Sequence, residues 1–169
     1  MSTDLAAALG WITGILTDRA IPYQVVGGLA ARAHGGTRPL ADIDMYVPDA
    51  ALADIAAAAG EHVEQPPMHH KDEHWDLIYL RIRYGGWQIE AAGAESARVW
   101  DARSGEWAPA GIRFDASEMR DVDGVALHVM PRAQLIDYKE GLGREVDIQD
   151  VRELRTGPGH ARSVQSLSQ

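Results

Sequence analysis

The chain has no cysteine. That excludes a disulfide framework and thiol catalysis. Positive charge is scarce: Lys71 and Lys139 are the only lysines, and 16 Lys plus Arg stand against 25 Asp plus Glu, a net charge of −9. A general nucleic-acid binder would present a basic face, so the balance disfavours that class without forbidding a local positive pocket. Long apolar runs are missing too. Leu5 to Leu16 comes nearest to a signal-type apolar region, but Asp4 precedes it and no Lys or Arg does. It is too short to cross a bilayer, so the expectation is a cytoplasmic protein with no membrane partner. There is no internal repeat. At 169 residues, the chain can bury about two-thirds of its unfolded surface. We expect one domain over residues 1–155 and a disordered tail over 156–169, which is rich in Gly, Ser, Pro and Gln.

The most informative stretch is Tyr23-Gln24-Val25-Val26-Gly27-Gly28, followed by Asp42-Ile43-Asp44. An apolar strand runs into a glycine pair, then a short Ala-rich helix from Leu29 to about His34. A loop with Gly35, Gly36 and Arg38 leads to a second strand. Strand residues two apart share a face, so Asp42, Asp44 and Tyr46 point one way and Ile43, Met45 and Val47 the other. The apolar face is ordinary core. The acidic face needs a reason, because two carboxylates about 7 Å apart repel by about 2 kcal/mol at an effective dielectric near 20. A divalent cation turns that penalty into a site. Mg²⁺ takes hard oxygen ligands, typically one or two carboxylates plus substrate phosphates. The glycine pair suits the phosphates, since Gly27 and Gly28 let backbone and helix-opening amides approach an anion. Arg38 could hold a triphosphate oxygen or be a solvated loop arginine. The plain alternative for the motif is an Asp-rich strand end after a chance Gly-Gly turn; the two motifs together are more specific than either alone.

The rest of the chain supplies the frame. Ser2 to Ala20 reads as a helix with Leu5, Leu9, Ile12 and Leu16 on one face, capped by Ser2 or Thr3 and ended by Pro22. Asp49 to Ala59 reads as a second helix capped by Asp49, with Gly60 ending it and a short strand over Glu61–Glu64. Pro66-Pro67 opens a polar loop containing His69, His70 and His74. A zinc reading is discounted, because that loop would have to supply every ligand without cysteine; a surface loop is expected. Trp75–Tyr84 and Trp87–Ala92 flank Gly85-Gly86 as a hairpin, which sets Arg81 opposite Glu90. Ala94 to Ser104 is expected to be a helix. Glu106 to Met119 is not readable beyond loop and some strand, and Trp100 and Trp107 could stack on a base or simply pack. Val122-Asp123-Gly124-Val125 is a second hairpin turn. Pro131 starts a helix that carries Lys139, and Asp147 caps a last helix to Leu154.

An apolar residue, Gly27-Gly28, thirteen intervening residues and then Asp42-Ile43-Asp44 resemble the nucleotidyltransferases of the DNA polymerase β superfamily. With Leu29-Ala30 and Arg38, the pattern is most similar to small bacterial enzymes: the lincosamide and aminoglycoside nucleotidyltransferases and the abortive-infection nucleotidyltransferase toxins. The superfamily often has Gly-Ser where this chain has Gly27-Gly28. The run from Lys139 through Gly141, Arg144, Asp147 and Asp150 to Leu154 resembles the tail of those enzymes. The resemblance implies an α+β nucleotidyltransferase fold, a mixed twisted sheet flanked by helices. It also implies a third carboxylate on a strand between apolar residues, for which Glu90 is the candidate, and a basic residue against the triphosphate, for which Lys139 is the candidate. The implied reaction is Mg²⁺-dependent transfer of a nucleoside monophosphate from an NTP, ATP foremost, to an acceptor hydroxyl. A small antibiotic would suit the negative charge better than tRNA, which stays open with a protein acceptor and a catalytically silent nucleotide-binding module. A metal-dependent phosphodiesterase would draw only on the histidine loop. Without the family, Glu90 reads as the partner of Arg81, and Lys139 as an exposed helix lysine.

Overall fold

Helical spacing of apolar side chains sets the first element. The computed structural model of the protein describes residues 4–157, so the candidate caps Ser2 and Thr3 and nearly all of the expected tail lie outside the described residues. Helix α1 (Leu5–Asp18) buries Leu5, Leu9, Ile12 and Leu16, as expected, together with Ala8. Asp4 is its N-cap, and its carboxylate accepts a hydrogen bond from the Ala7 amide.

Among the described residues nine strands join in one mixed sheet: β1 (Gln24–Val26), β2 (Ile43–Val47), β3 (Val63–Lys71), β4 (Trp75–Tyr84), β5 (Trp87–Gly93), β6 (Arg98–Asp101), β7 (Glu106–Pro109), β8 (Glu118–Val122) and β9 (Val125–Val129). Their order is β7-β6-β4-β5-β2-β1-β9-β8, with β3 paired to β4 off that path. Four further helices flank the sheet: α2 (Gly27–Ala33), α3 (Leu52–Ala59), α4 (Arg132–Leu142) and α5 (Glu145–Thr156). Alternate residues of the central strands form the core. Ile43, Val47, Leu80, Ile82, Ile89 and Ala91 are fully buried, and Ile55 of α3 and Ile12 of α1 are buried in the same core. Each of these isoleucine, leucine and valine side chains contributes about 1.5–3 kcal/mol over leaving it in water.

Both expected hairpins form. In β4–β5 the pairs are Tyr84 with Trp87, Arg83 with Gln88, Ile82 with Ile89 and Arg81 with Glu90. Gly85 and Gly86 both take positive φ, which a two-residue turn of this twist requires. The β8–β9 turn at Asp123-Gly124 has the same signature.

Four expectations are corrected. First, residues 94–104 are not helical: a turn leads into β6, which pairs with both β4 and β7. Val99-Trp100 suits a pleated surface, and the sheet supplies partners on both sides. Second, the histidine loop is mostly strand. β3 runs to Lys71, and a register shift between Gln65 and Met68 takes up Pro66 and Pro67. A bulge needs no amide from them, so the prolines do not break the strand. The short strand placed at Glu61–Glu64 starts only at Val63, after a 3-10 turn over Gly60–His62. Third, Asp49 opens a 3-10 turn ahead of α3 and is not a side-chain cap. Fourth, α5 begins before Asp147. Arg144 is its N-cap, and Asp147, three residues on, returns a carboxylate to the Arg144 amide at 3.2 Å.

Candidate active site

The register of the central strands builds the site. Val26 of β1 pairs with Asp44 of β2, Asp44 with Glu90 of β5, and Glu90 with Arg81 of β4. Paired residues on neighbouring strands project to the same side, about 4.8 Å apart strand to strand. The two expected carboxylates from separate strands therefore stand side by side, and Asp42 joins them from two residues earlier on the same face. All three line a cavity of about 360 Å³, with Gly27 and Lys139 in its wall. That is within the range of small-ligand sites.

The glycine pair has a local cause. Gly27 has φ +66, and a Cβ there would lie 2.9 Å from Asp44 Oδ2. A side chain at 27 would thus push the carboxylate out of the bend. A Cβ on Gly28 would lie 3.1 Å from an Arg38 nitrogen. The bare bend lets an acid and a guanidinium close on the start of α2.

Asp44 is half-buried, and its pKa is raised well above the ordinary carboxylate range. Burial is the main cause, followed by the charges of Asp42 and Glu90; Lys139 opposes them. Glu90 is also raised, first by burial and then by Asp42, with Arg81 pulling it down. Crowded acids of this kind are what a hard cation relieves, and the donor set is all carboxylate oxygen, which suits Mg²⁺. The fit lies with Asp42 and Asp44. No group of three or more acidic or histidine side chains among the described residues is arranged to share one ion. Glu90 is instead engaged sideways: its Oε1 accepts from Arg81 Nε at 3.3 Å and from Gln88 Nε2 at 3.0 Å.

The basic candidates are not free in solvent. Lys139, expected on an exposed or phosphate-facing side of its helix, is only 2 % exposed, with its ammonium 2.9 Å from Asp150 and 3.4 Å from Asp147. Arg38 is no solvated loop residue either. It makes a two-pronged bond to Asp150, Nε to Oδ1 and Nη2 to Oδ2, each 2.9 Å. Asp150, itself buried, thus joins both cations and ties α5 to the glycine loop.

Part of the cavity wall is aromatic. Trp75 Nε1 donates to the Tyr138 hydroxyl at 3.1 Å, and Tyr138 and Tyr46 share a 3.0 Å hydrogen bond. The Arg144 guanidinium lies 4.8 Å from the Trp75 ring centroid and bonds Asp147. Tyr46 was visible on the acidic face of its strand but had no assigned role. Trp75 lies on β4, sixty-three residues before Tyr138 of α4, and Arg144 opens α5; no local signal joins Trp75 to the other two. Trp100 and Trp107 lie outside this cavity and pack edge to face at 5.5 Å. His69 and His70 bond Asp76 and Asp72, and only His70 reaches the cavity wall.

No protein-family model matches the chain, and no curated protein matches its sequence. Solved structures do match its fold. A Thermotoga maritima protein with a provisional assignment as a nucleotidyltransferase superposes with a TM-score of 0.63 at 16% identity, covering 96% of this chain and 89% of that one. ANT(2")-Ia, solved in complex with adenylyl-2"-tobramycin, gives 0.59 at 18% identity over 95% and 92% of the two chains. The lincosamide antibiotic adenylyltransferase LnuA, lincomycin-bound, gives 0.58 at 12% identity over 92% and 99%. The chain therefore has the nucleotidyltransferase fold, a mixed sheet flanked by helices, as the resemblance carried by its glycine and aspartate motifs implied.

Proposed function

We propose that the protein is a nucleotidyltransferase that moves a nucleoside monophosphate from an NTP, ATP foremost, to a hydroxyl of a small-molecule acceptor. One observation carries the reading. On this fold, Asp44 and Glu90 pair in register on adjacent strands, with Asp42 on the same face, at a glycine bend inside a cavity. Asp42 and Asp44 would hold Mg²⁺, with Glu90 as a third ligand or as the group that takes the acceptor's proton. When bound, the ion would neutralise phosphate charge and orient the displacement. Gly27 and Gly28 offer bare backbone to the β- and γ-phosphates, and Arg38 and Lys139, both paired with Asp150, would stand behind them. The acceptor oxygen bonds to the α-phosphorus, pyrophosphate leaves with the electron pair of the broken P–O bond, and the hydroxyl proton passes to a carboxylate. Tyr46, Trp75 and Tyr138 give the cavity an aromatic wall for a base or an acceptor ring.

A small acceptor fits this cavity size, and the structural neighbours crystallised with an adenylylated tobramycin and with lincomycin make antibiotics the first class to try. The net charge of −9 weighs against tRNA. NTP and Mg²⁺ would come from a bacterial cytoplasm. The test is mass spectrometry of Mg²⁺, each of the four NTPs and a panel of aminoglycosides, lincosamides, tRNA and lysate. A product heavier by one nucleotide is expected from the wild type. Asp44→Ala is expected to abolish Mg²⁺-dependent pyrophosphate release, and undiminished release would remove the reading. Nucleotide binding with no product from any acceptor would favour a silent nucleotide-binding module.

A further inference from the structure

Glu90 is held by a short chain of side chains on the β4–β5 hairpin. Tyr79 and Arg81 share one face of β4, and Gln88 and Glu90 share the facing side of β5. Arg81 Nη2 donates to the Tyr79 hydroxyl at 3.0 Å, and the guanidinium lies 5.7 Å from the Tyr79 ring centroid. Arg81 Nε and Gln88 Nε2 both donate to Glu90 Oε1. Oε2 receives no hydrogen bond from any described residue. An isolated surface pair of this length would be worth little. Here, however, both ends are only about one-third exposed, and two donors fasten the same oxygen. The carboxylate's rotation is therefore restrained, with one oxygen engaged and the other free of hydrogen bonds to the described residues, on a residue that lines the same cavity as Asp42 and Asp44.

We propose that Arg81, steadied by Tyr79, is a positioning residue: with Gln88 it fastens one oxygen of Glu90, keeps Glu90 apart from the Asp42–Asp44 pair, and leaves the other oxygen to receive the acceptor proton. This rests on the nucleotidyl-transfer reading and settles which of two roles Glu90 has in it. In the step, the acceptor O–H bond breaks and its proton goes to Glu90 Oε2. The freed oxygen bonds the α-phosphorus, and the pyrophosphate oxygen departs with the electrons of the P–O bond.

The test has two arms on the full chain. In the first, Mn²⁺ is titrated with a non-cleavable α,β-methylene ATP by paramagnetic resonance. Asp44→Asn is expected to weaken Mn²⁺ binding at least tenfold, whereas Glu90→Gln and Arg81→Met stay within twofold of wild type. A loss with Glu90→Gln equal to that with Asp44→Asn makes Glu90 a metal ligand and overturns the proposal. In the second, turnover of radiolabelled ATP is followed with whichever acceptor the wild type modifies. Arg81→Met is expected to lower kcat at least tenfold with the KM for ATP within twofold, and Arg81→Lys to recover a measurable part of kcat. A raised KM with unchanged kcat makes Arg81 a phosphate contact and overturns the proposal. A wild type that binds Mn²⁺ but transfers to nothing removes the parent reading, while the first arm still decides where Glu90 stands. A wild type that binds no Mn²⁺ in the presence of the analogue overturns both.

Discussion

Asp44 destabilises the folded chain in order to be where it is. Its carboxyl is harder to ionise in the fold than in the unfolded chain, because it is sunk in the sheet beside Asp42 and Glu90. With its folded pKa above the unfolded value, the native state holds the proton longer as pH rises. Asp44 therefore favours folding when protonated, and that advantage is lost as pH climbs through the raised pKa. Asp44→Asn is accordingly expected to raise Tm at pH 7 in the absence of divalent ions, with the gain shrinking near pH 4. Each kcal/mol of relieved repulsion is worth about 2–4 °C in a chain of this size. Thermal unfolding by circular dichroism checks it, and a lower Tm at pH 7 would mean that the Asp44 charge is already compensated. Of the two partners in this crowding, Asp42 was legible from the two-residue alternation, whereas Glu90 was a candidate only through the family resemblance, since the hairpin register set it opposite Arg81 and not beside Asp44. The sideways grip of Gln88 on Glu90 was not legible, because it depends on rotamers.

At the scale of elements, the contact between α5 and the glycine loop runs through one carboxylate. Asp150 takes both nitrogens of Arg38 and the ammonium of Lys139, all with little access to water. Removing one partner from a buried ion group leaves uncompensated charge, typically at a cost of about 3–5 kcal/mol. Asp150→Ala is expected to lower the unfolding free energy by that much in a urea titration. A loss below about 1 kcal/mol would place both cations in contact with water, as in a surface pair. The sequence placed Lys139 and Asp150 in one run, Lys139 to Leu154, and Arg38 in a separate loop. It gave no local reason to join Arg38 to Asp150, since more than a hundred residues separate them. Elements were misread where local preference and sheet pairing disagreed. Residues 94–104 were expected to be a helix, yet Arg98–Asp101 found strand partners on both sides. Pro66 and Pro67 suggested a loop, yet a bulge accommodates them within β3.

For the whole molecule, the expectation concerns ligand linkage. A metal–nucleotide pair that binds only the native state stabilises it by about 2.7 kcal/mol at a hundredfold excess over Kd, or about 5–10 °C in Tm. The wild type is expected to gain this with Mg²⁺ and ATP together and little with either alone. The Asp42→Asn and Asp44→Asn variants should lose most of the gain. An equal shift in those variants, read by thermal scanning, would separate nucleotide binding from the carboxylates. No helix among the described residues is long and apolar enough to cross a membrane, in keeping with the lack of long apolar runs.

The sequence by itself determined the elements whose cause is local. The 3.6-residue spacing makes α1, Gly85-Gly86 and Asp123-Gly124 turn the two expected hairpins, and strict alternation puts Asp42 and Asp44 on one face. It also fixed Arg81 opposite Glu90, because a two-residue turn leaves only one register. What the tertiary structure decided is which strands become neighbours. Parallel pairing of β2 with β5 brings Asp44 beside Glu90 across 45 residues of intervening chain, and no local preference encodes that choice. Burial then raised the pKa of Asp44 and drew Lys139 inward onto two aspartates, because the electrostatics of a charge depend on everything packed around it.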